Sequence, residues 1–352
     1  METVPLDQAS ELREAMRAFR AATAPAERAA DTGPKHDVPM ARPAATPART
    51  SPAPRMIAHE DAGTRLVDRS AARPASPPMI HRKSQERGCS IVAVVSGKGG
   101  VGKTHVAVNL SLLLGQRGIG VLLIDVDAGA ANADVVLRVD PHPTLSDYLG
   151  GRCSRAQLVR PIANRVRFVP GYSGPASLRE AYLHEPREVV RIVEELATDE
   201  RLVILDCGAG VGPTVLGPAL AADVPLIVTT PEPTAMTDAY ALMKVMARLE
   251  ANGARPMLLV NQVQGAGEAQ HVFERISCTA RRFLSADVRP AGFVRSDRHV
   301  VRAAMDRRPF AAMYPGCRAA RDLADVATRV LTPTSTNDGR ATRRSEAIHA
   351  AI

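Results

Sequence analysis

Paired cysteines are missing from this chain. Cys89, Cys153, Cys207, Cys278 and Cys317 are odd in number, far apart and never in a C-x-x-C arrangement, so neither a disulfide framework nor a paired zinc or iron–sulfur site is implied. No apolar run approaches the length of a membrane span. The start, Met1-Glu2-Thr3-Val4-Pro5, lacks the basic and then apolar segments of a secretory leader. The expected location is therefore the cytoplasm. An excess of one charge is also absent: 45 Lys and Arg against 37 Asp and Glu leave a net +8 over 352 residues, and no region is strongly basic. The one local cluster, Arg289, Arg295, Arg298, Arg302, Arg307 and Arg308 on the last strand and the helix after it, reads as a solvated face. No specific nucleic acid is expected as a partner.

What is present divides the chain into four segments. Residues 24–88 are dominated by Pro, Ala, Arg, Ser and Thr, a composition that cannot bury a core and predicts a disordered linker. Residues 332–352 are similarly polar and predict a flexible tail. Between them, residues 89–331 are long enough for one α/β core. Residues 1–23 stand apart: Ala9, Leu12, Met16 and Phe19 recur at helical spacing behind Asp7 as N-cap, which predicts a short amphipathic helix.

The most informative ten residues are Val95-Ser96-Gly97-Lys98-Gly99-Gly100-Val101-Gly102-Lys103-Thr104. Ile91–Val95 reads as a buried strand and Thr104–Gln116 as the helix that follows. A Gly-x-x-x-x-Gly-Lys-Thr loop between them lets backbone N–H groups wrap phosphates at a positive helix N-terminus. Lys103 then reaches the terminal phosphates and Thr104 holds Mg²⁺. The predicted nucleotide-binding set is Gly97, Lys98, Gly99, Gly100, Val101, Gly102, Lys103, Thr104 and His105.

Further strands are predicted at Val121–Asp125, Val166–Val169, Leu202–Asp206, Pro225–Thr230, Met257–Val260 and Val288–Val294. Helices are predicted at Pro186–Leu196, Thr234–Glu250 and Glu268–Phe283. This alternation gives a doubly wound, mostly parallel sheet with ligands at the carboxyl ends of the strands. Asp125 closes the second strand. Asp127, two residues on, falls in a loop facing the γ-phosphate. Asp206 ends the next acidic strand, where a carboxylate reaches the Mg²⁺ shell through water, and Gly208-Ala209-Gly210 after it predicts a mobile switch. Cys207 reads as a small packed residue. At the strand Leu258-Leu259-Val260-Asn261-Gln262 there is no carboxylate to accept from guanine, while the Asn261 amide can pair with adenine N6 and N7, so ATP is favoured over GTP.

The Lys-Gly-Gly-Val-Gly-Lys-Thr form of the loop resembles the deviant Walker A of the MinD/ParA superfamily, the MinD-like group of SIMIBI P-loop NTPases. The resemblance implies a Mg²⁺-dependent ATPase that dimerises with ATP. Lys98 would reach across the dimer to the partner's nucleotide, like an arginine finger worth up to about 10³–10⁵ in rate. Asp127 would serve in switch I as the hydrolytic residue, so Lys98 and Asp127 are the catalytic candidates.

Three stretches narrow the resemblance to the FlhG/FleN (YlxH) branch, which sets flagellar number and position: Thr229–Lys244, Arg308-Pro309-Phe310 with Tyr314-Pro315, and Asp7-Gln8-Ala9-Ser10-Glu11-Leu12-Arg13. In that branch the last element stimulates the SRP-type GTPase FlhF. Asp7, Gln8, Ala9, Leu12 and Arg13 are accordingly the partner-binding candidates, with Gln8 positioned to orient water. Other partners the branch implies are flagellar switch-complex proteins or a flagellar transcription activator, with peripheral association at the inner membrane or the cell pole. The chain departs from it in Arg295, where relatives commonly have proline, in the length of 24–88, and in a C-terminus whose weak, alanine-rich face (Ile348, Ile352) replaces a membrane-targeting helix. The alternative is a ParA- or MinD-type ATPase for DNA partition or division-site placement.

Overall fold

The computed structural model describes residues 88–127, 132–171, 183–249 and 256–331. The predicted helix within 1–23, the linker up to residue 87 and the tail from 332 lie outside the described residues.

Eight strands form one sheet: β1 (Ser90–Ser96), β2 (Val121–Asp125), β3 (Arg160–Ala163), β4 (Val166–Val169), β5 (Leu202–Ala209), β6 (Val224–Thr229), β7 (Met257–Val263) and β8 (Arg289–Arg295), in the order β3-β4-β2-β5-β1-β6-β7-β8. All neighbouring pairs are parallel except β3 with β4. Near-continuous apolar runs such as Leu202–Leu205 make these strands, because helices cover both faces and each side chain meets a core whichever way it points. In β1, Ile91, Ala93 and Val95 enter one apolar layer, and Val92 and Val94 enter the other. That alternation follows from the two-residue period of a strand.

The layer containing Ile91 is covered by the helices α5 (Pro186–Leu196), α6 (Pro213–Ala221), α7 (Pro233–Arg248) and α8 (Ala266–Leu284). The opposite layer holds α1 (Lys103–Gln116), α9 (Arg298–Met305), α10 (Phe310–Met313) and α11 (Arg318–Leu331). Three short helices, α2 (Ala133–Leu137), α3 (Leu145–Leu149) and α4 (Arg155–Leu158), lie between β2 and β3. Proline opens α5, α6 and α7, where its missing N–H costs nothing. α7 thus begins at Pro233, ahead of the predicted Thr234.

Two expectations are corrected. β3, absent from the sequence prediction, is an antiparallel edge strand joined to β4 through Asn164 and Arg165, the latter at φ 58°. Its four residues carry Pro161 and alternate in exposure, so the apolar signal is weak and the edge is blunt to further pairing. β5 does not stop at Asp206 but runs to Ala209, with Gly210 N–H bonded to the Ser96 carbonyl at 2.9 Å. The first residues of the expected mobile switch are therefore sheet.

Candidate functional site

β1 delivers its carboxyl end to the loop, where the Ser96 hydroxyl donates to the Lys98 carbonyl at 2.6 Å. Gly100 (φ 80°) and Gly102 (φ 93°) turn through left-handed backbone, which glycine enters without penalty. A Cβ on Gly102 would lie 2.5 Å from Asn261 Nδ2, and one on Gly97 would lie 2.1 Å from the Asp238 carbonyl oxygen. The first α-helical bond of α1 is Val106 N–H to Gly102 C=O. The amides of Lys103, Thr104 and His105 thus stand at the helix N-terminus without helical acceptors, and no acidic side chain occupies the first turn. This is an anion cradle. It opens into a cleft of about 860 Å³ whose lining includes Gly99, Lys103, Thr104, Asp127, Gly208 and Thr214.

Three carboxylates stand beyond it. Asp125 and Asp206 are neighbours across β2 and β5, and both are fully buried. Asp125 accepts from the N–H groups of Asp127 (3.0 Å), Asn132 (3.1 Å) and Ala133 (3.1 Å). It is the anchor of the loop after β2, which is more than closing a strand. Burial pushes its pKa well up, and the Asp206 charge pushes it further. Burial also raises Asp206, while the Thr104 hydroxyl and Lys103 ammonium draw it back down. Neither Asp206 oxygen meets a donor in good hydrogen-bond geometry. An orphaned buried carboxylate costs free energy unless a cation satisfies it. With Thr104 beside it, the arrangement fits a hydrated magnesium ion, which prefers oxygen ligands and keeps several waters. Asp127 lines the cleft, and a Cβ on Gly208 would crowd its Oδ1 at 3.2 Å.

Lys98 is placed elsewhere. It does not line its own chain's cleft, and its ammonium donates to Glu232 Oε1 at 2.5 Å and Thr234 Oγ1 at 2.8 Å.

A second cavity of about 240 Å³ adjoins the first, sharing Gly102 and His105, and is lined by Val106, Asn261, Gln262, Val294–Asp297, Val300, Val301, Phe310 and Leu323. Asn261 Nδ2 donates to the Val101 carbonyl at 2.8 Å, so the residue chosen for the base also braces the loop. Gln262, at φ 61°, bends β7 there. Burial lowers the pKa of His105, which presents a neutral imidazole. Arg295 does not block the cavity: its guanidinium forks onto Asp322 of α11 (Nη2 to Oδ1 2.6 Å, Nε to Oδ2 2.8 Å). Asp297 accepts from His299, Arg318 and Ala319 N–H groups, capping α9 and α11 together.

The structure therefore brings Gly99, Gly100, Gly102, Lys103, Thr104, His105, Asp127 and Asn261 to two joined cavities, with Asp206 buried next to Thr104, while Gly97, Lys98 and Val101 line neither. Asp7, Gln8, Ala9, Leu12 and Arg13 lie outside the described residues. Sequence reasoning missed the Asp125 anchor, the Glu232–Thr234 mooring and the Asp297 double cap. The Asp297-Arg298-His299 order is an N-cap signal that could have found the last.

A parallel sheet with this loop and these carboxylates defines a P-loop nucleotide-binding protein. The family model described as CobQ/CobB/MinD/ParA nucleotide binding domain matches residues 92–310, and the chain belongs to that family as a MinD/ParA-type ATPase. Among relatives, it is similar to the antiactivator FleN of Pseudomonas aeruginosa, 33% identical over 68% of this chain and 85% of that protein. It is also similar to the flagellum site-determining protein YlxH of Helicobacter pylori, 32% identical over 55% and 65% of the two chains. The septum site-determining protein MinD of Pyrococcus horikoshii, solved with Mg-ADP, superimposes with a TM-score of 0.57 at 26% identity, covering 69% of this chain and 96% of that one.

Proposed function

We propose that this ATPase is a dimerising switch controlling flagellar number or position, and that residues 7–13 stimulate a partner SRP-type GTPase of the FlhF kind. What carries the reading of an ATP-bound homodimer is the position of Lys98: a lysine of the P-loop that does not line its own cleft and is held by an exposed ion pair to Glu232 can exchange that partner for a second nucleotide. Apolar exposure beside the cavities supports it, with Val135, Val301 and Met305 at 43%, 57% and 79%. In this reading Lys103 holds the β and γ phosphates, Asp127 orients the attacking water, Asp206 and Thr104 serve Mg²⁺, and Asn261 meets adenine. The similarity to FleN and YlxH supports a flagellar process, and the antiactivator role of FleN supports a transcription activator among the partners. Residues 1–23, 24–88, 89–331 and 332–352 act as activator helix, linker, ATPase domain and tail.

The test is a pull-down from cell extract with the full chain and with a chain lacking residues 1–23, read by mass spectrometry. Recovery of an SRP-type GTPase with the full chain alone supports the reading. Equal recovery with both, or none, refutes the role of 7–13. Strong, salt-sensitive DNA binding would favour a partition ATPase instead.

A further inference from the structure

α9 ends in a way its sequence does not favour. Arg308 N–H donates to the Ala303 carbonyl at 2.9 Å and Arg307 N–H to the Ala304 carbonyl at 3.1 Å, the paired bonds of a Schellman motif. The residue at the turn of that motif adopts left-handed backbone and is usually glycine. Here it is Arg307, at φ 50°, where a Cβ is a burden.

The position of Arg307 gives that burden a purpose. With Ala304 it lines the phosphate cleft, while Val300 and Val301, one turn earlier, line the neighbouring cavity. α9 therefore runs from the base side of the site to its phosphate side, at about 1.5 Å per residue. Among the described residues no carboxylate ion pair is formed by Arg307, nor by Arg298, Arg302 or Arg308, but of these four only Arg307 lines the phosphate cleft. An exposed guanidinium without an anion, on strained backbone at the lip of an anion cradle, is the kind of feature that persists at ligand clamps. We propose that Arg307 is a nucleotide-binding residue that closes the cleft by forking onto the phosphate chain of the nucleotide held by its own P-loop. The P-loop amides and Lys103 grip the phosphate chain from the α1 side, so Arg307, on α9, takes it from another side at phosphates that ADP also carries. The inference rests on the nucleotide reading of that cleft and adds a contact to it.

The test is calorimetric titration of the full chain with Mg-ADP, which carries those phosphates and does not require dimerisation, at low and high KCl. Arg307→Gly should weaken ADP binding roughly tenfold, the scale of a lost hydrogen bond to a charged group, with a smaller loss at high salt. Its apo Tm should equal or exceed that of the parent, because glycine suits the backbone. Arg307→Lys should fall between the two, and Arg302→Ala, exposed on the same helix and lining neither cavity, should bind as the parent does. Unchanged ADP affinity in Arg307→Gly overturns the proposal, and if ATP-dependent dimerisation is lost as well the arginine acts on the partner's nucleotide instead. A lower apo Tm with a salt-independent loss also overturns it, in favour of a structural role. If Lys103→Ala binds ADP as tightly as the parent, the nucleotide reading of the cleft fails and the proposal with it.

Discussion

Lys98 Nζ lies 2.5 Å from Glu232 Oε1, across 134 residues of sequence, and 2.8 Å from Thr234 Oγ1. The hydrogen bond from Lys98 lowers the Glu232 pKa, but both side chains are substantially exposed. Such a pair exchanges readily for a phosphate oxygen, since exposed ion pairs add little to stability. The mooring holds the lysine without locking it.

Lys98→Ala should therefore leave Tm and monomer ATP affinity nearly unchanged while lowering hydrolysis by about 10³ or more, the scale of a lost finger. Mixing Lys98→Ala with Asp127→Ala subunits distinguishes the mechanisms. Activity that merely averages the two homodimers would argue against action across the dimer.

Lys103→Ala should abolish ATP binding, because it removes the ammonium from the cradle. Asp127→Ala should bind ATP, turn over slowly and accumulate as an ATP-bound dimer on size exclusion. A monomeric Asp127→Ala that hydrolyses at the parent rate would remove Asp127 from the mechanism.

The buried pair predicts opposite responses from adjacent carboxylates. Asp206→Asn removes a carboxylate that burial disfavours more than the Thr104 hydroxyl and Lys103 ammonium favour it, so apo Tm should rise while Mg²⁺-dependent hydrolysis is lost. Asp125→Ala strands three N–H groups and should cost on the order of 1–3 kcal/mol for each amide left buried without an acceptor. Urea denaturation of the two variants compares them directly, and similar shifts would sink the distinction.

Asp297 supplies a pH dependence. Burial alone would raise its pKa, but hydrogen bonds from His299, Ala319 and Arg318 hold it at about 2. Because the folded value lies below the unfolded one of about 3.9, the contribution is complete above about pH 4 and disappears as pH falls through 2. Asp297→Ala should cost about 2 kcal/mol at neutral pH, constant from pH 7 to 5 and shrinking below pH 4. A difference that instead grew on acidification would contradict this account.

If residues 7–13 act as proposed, a peptide of residues 1–23 should raise the GTPase rate of the cognate FlhF-like protein without the ATPase domain. Gln8→Ala should remove stimulation and spare binding. Leu12→Asp should abolish binding by placing a charge in the apolar contact. Equal stimulation by parent and Gln8→Ala peptides would reduce the segment to a tether.

The sheet was legible wherever strands were buried on both faces, because a run such as Val203-Ile204-Leu205 admits few other readings. β3 was not, since a four-residue edge strand exposes alternate side chains and carries a proline. The P-loop was legible because its glycines answer to a local need: phosphate wrapping and, at Gly102, the approach of Asn261. Glu232 could not be read the same way, nor could the meeting of Asp125 with Asp206. These depend on partners brought in by the sheet, across 134 residues for Glu232 and 81 for the Asp125 and Asp206 strands, and no local spacing records such a pairing. Arg307 was visible as one of a cluster, yet only the fold separates it from its neighbours.

α11 is the last described element, and its Asp322 holds the Arg295 that walls the base cavity. The same helix is tied to α1 through Arg117, which donates to the Ala324 carbonyl at 2.7 Å and to the Thr328 hydroxyl at 3.0 Å. The helix that begins at the phosphates and the helix that ends at residue 331 thus share one clamp. Strain applied at the far end of α11 should therefore reach both the wall of the second cavity and the phosphate helix through these hydrogen bonds.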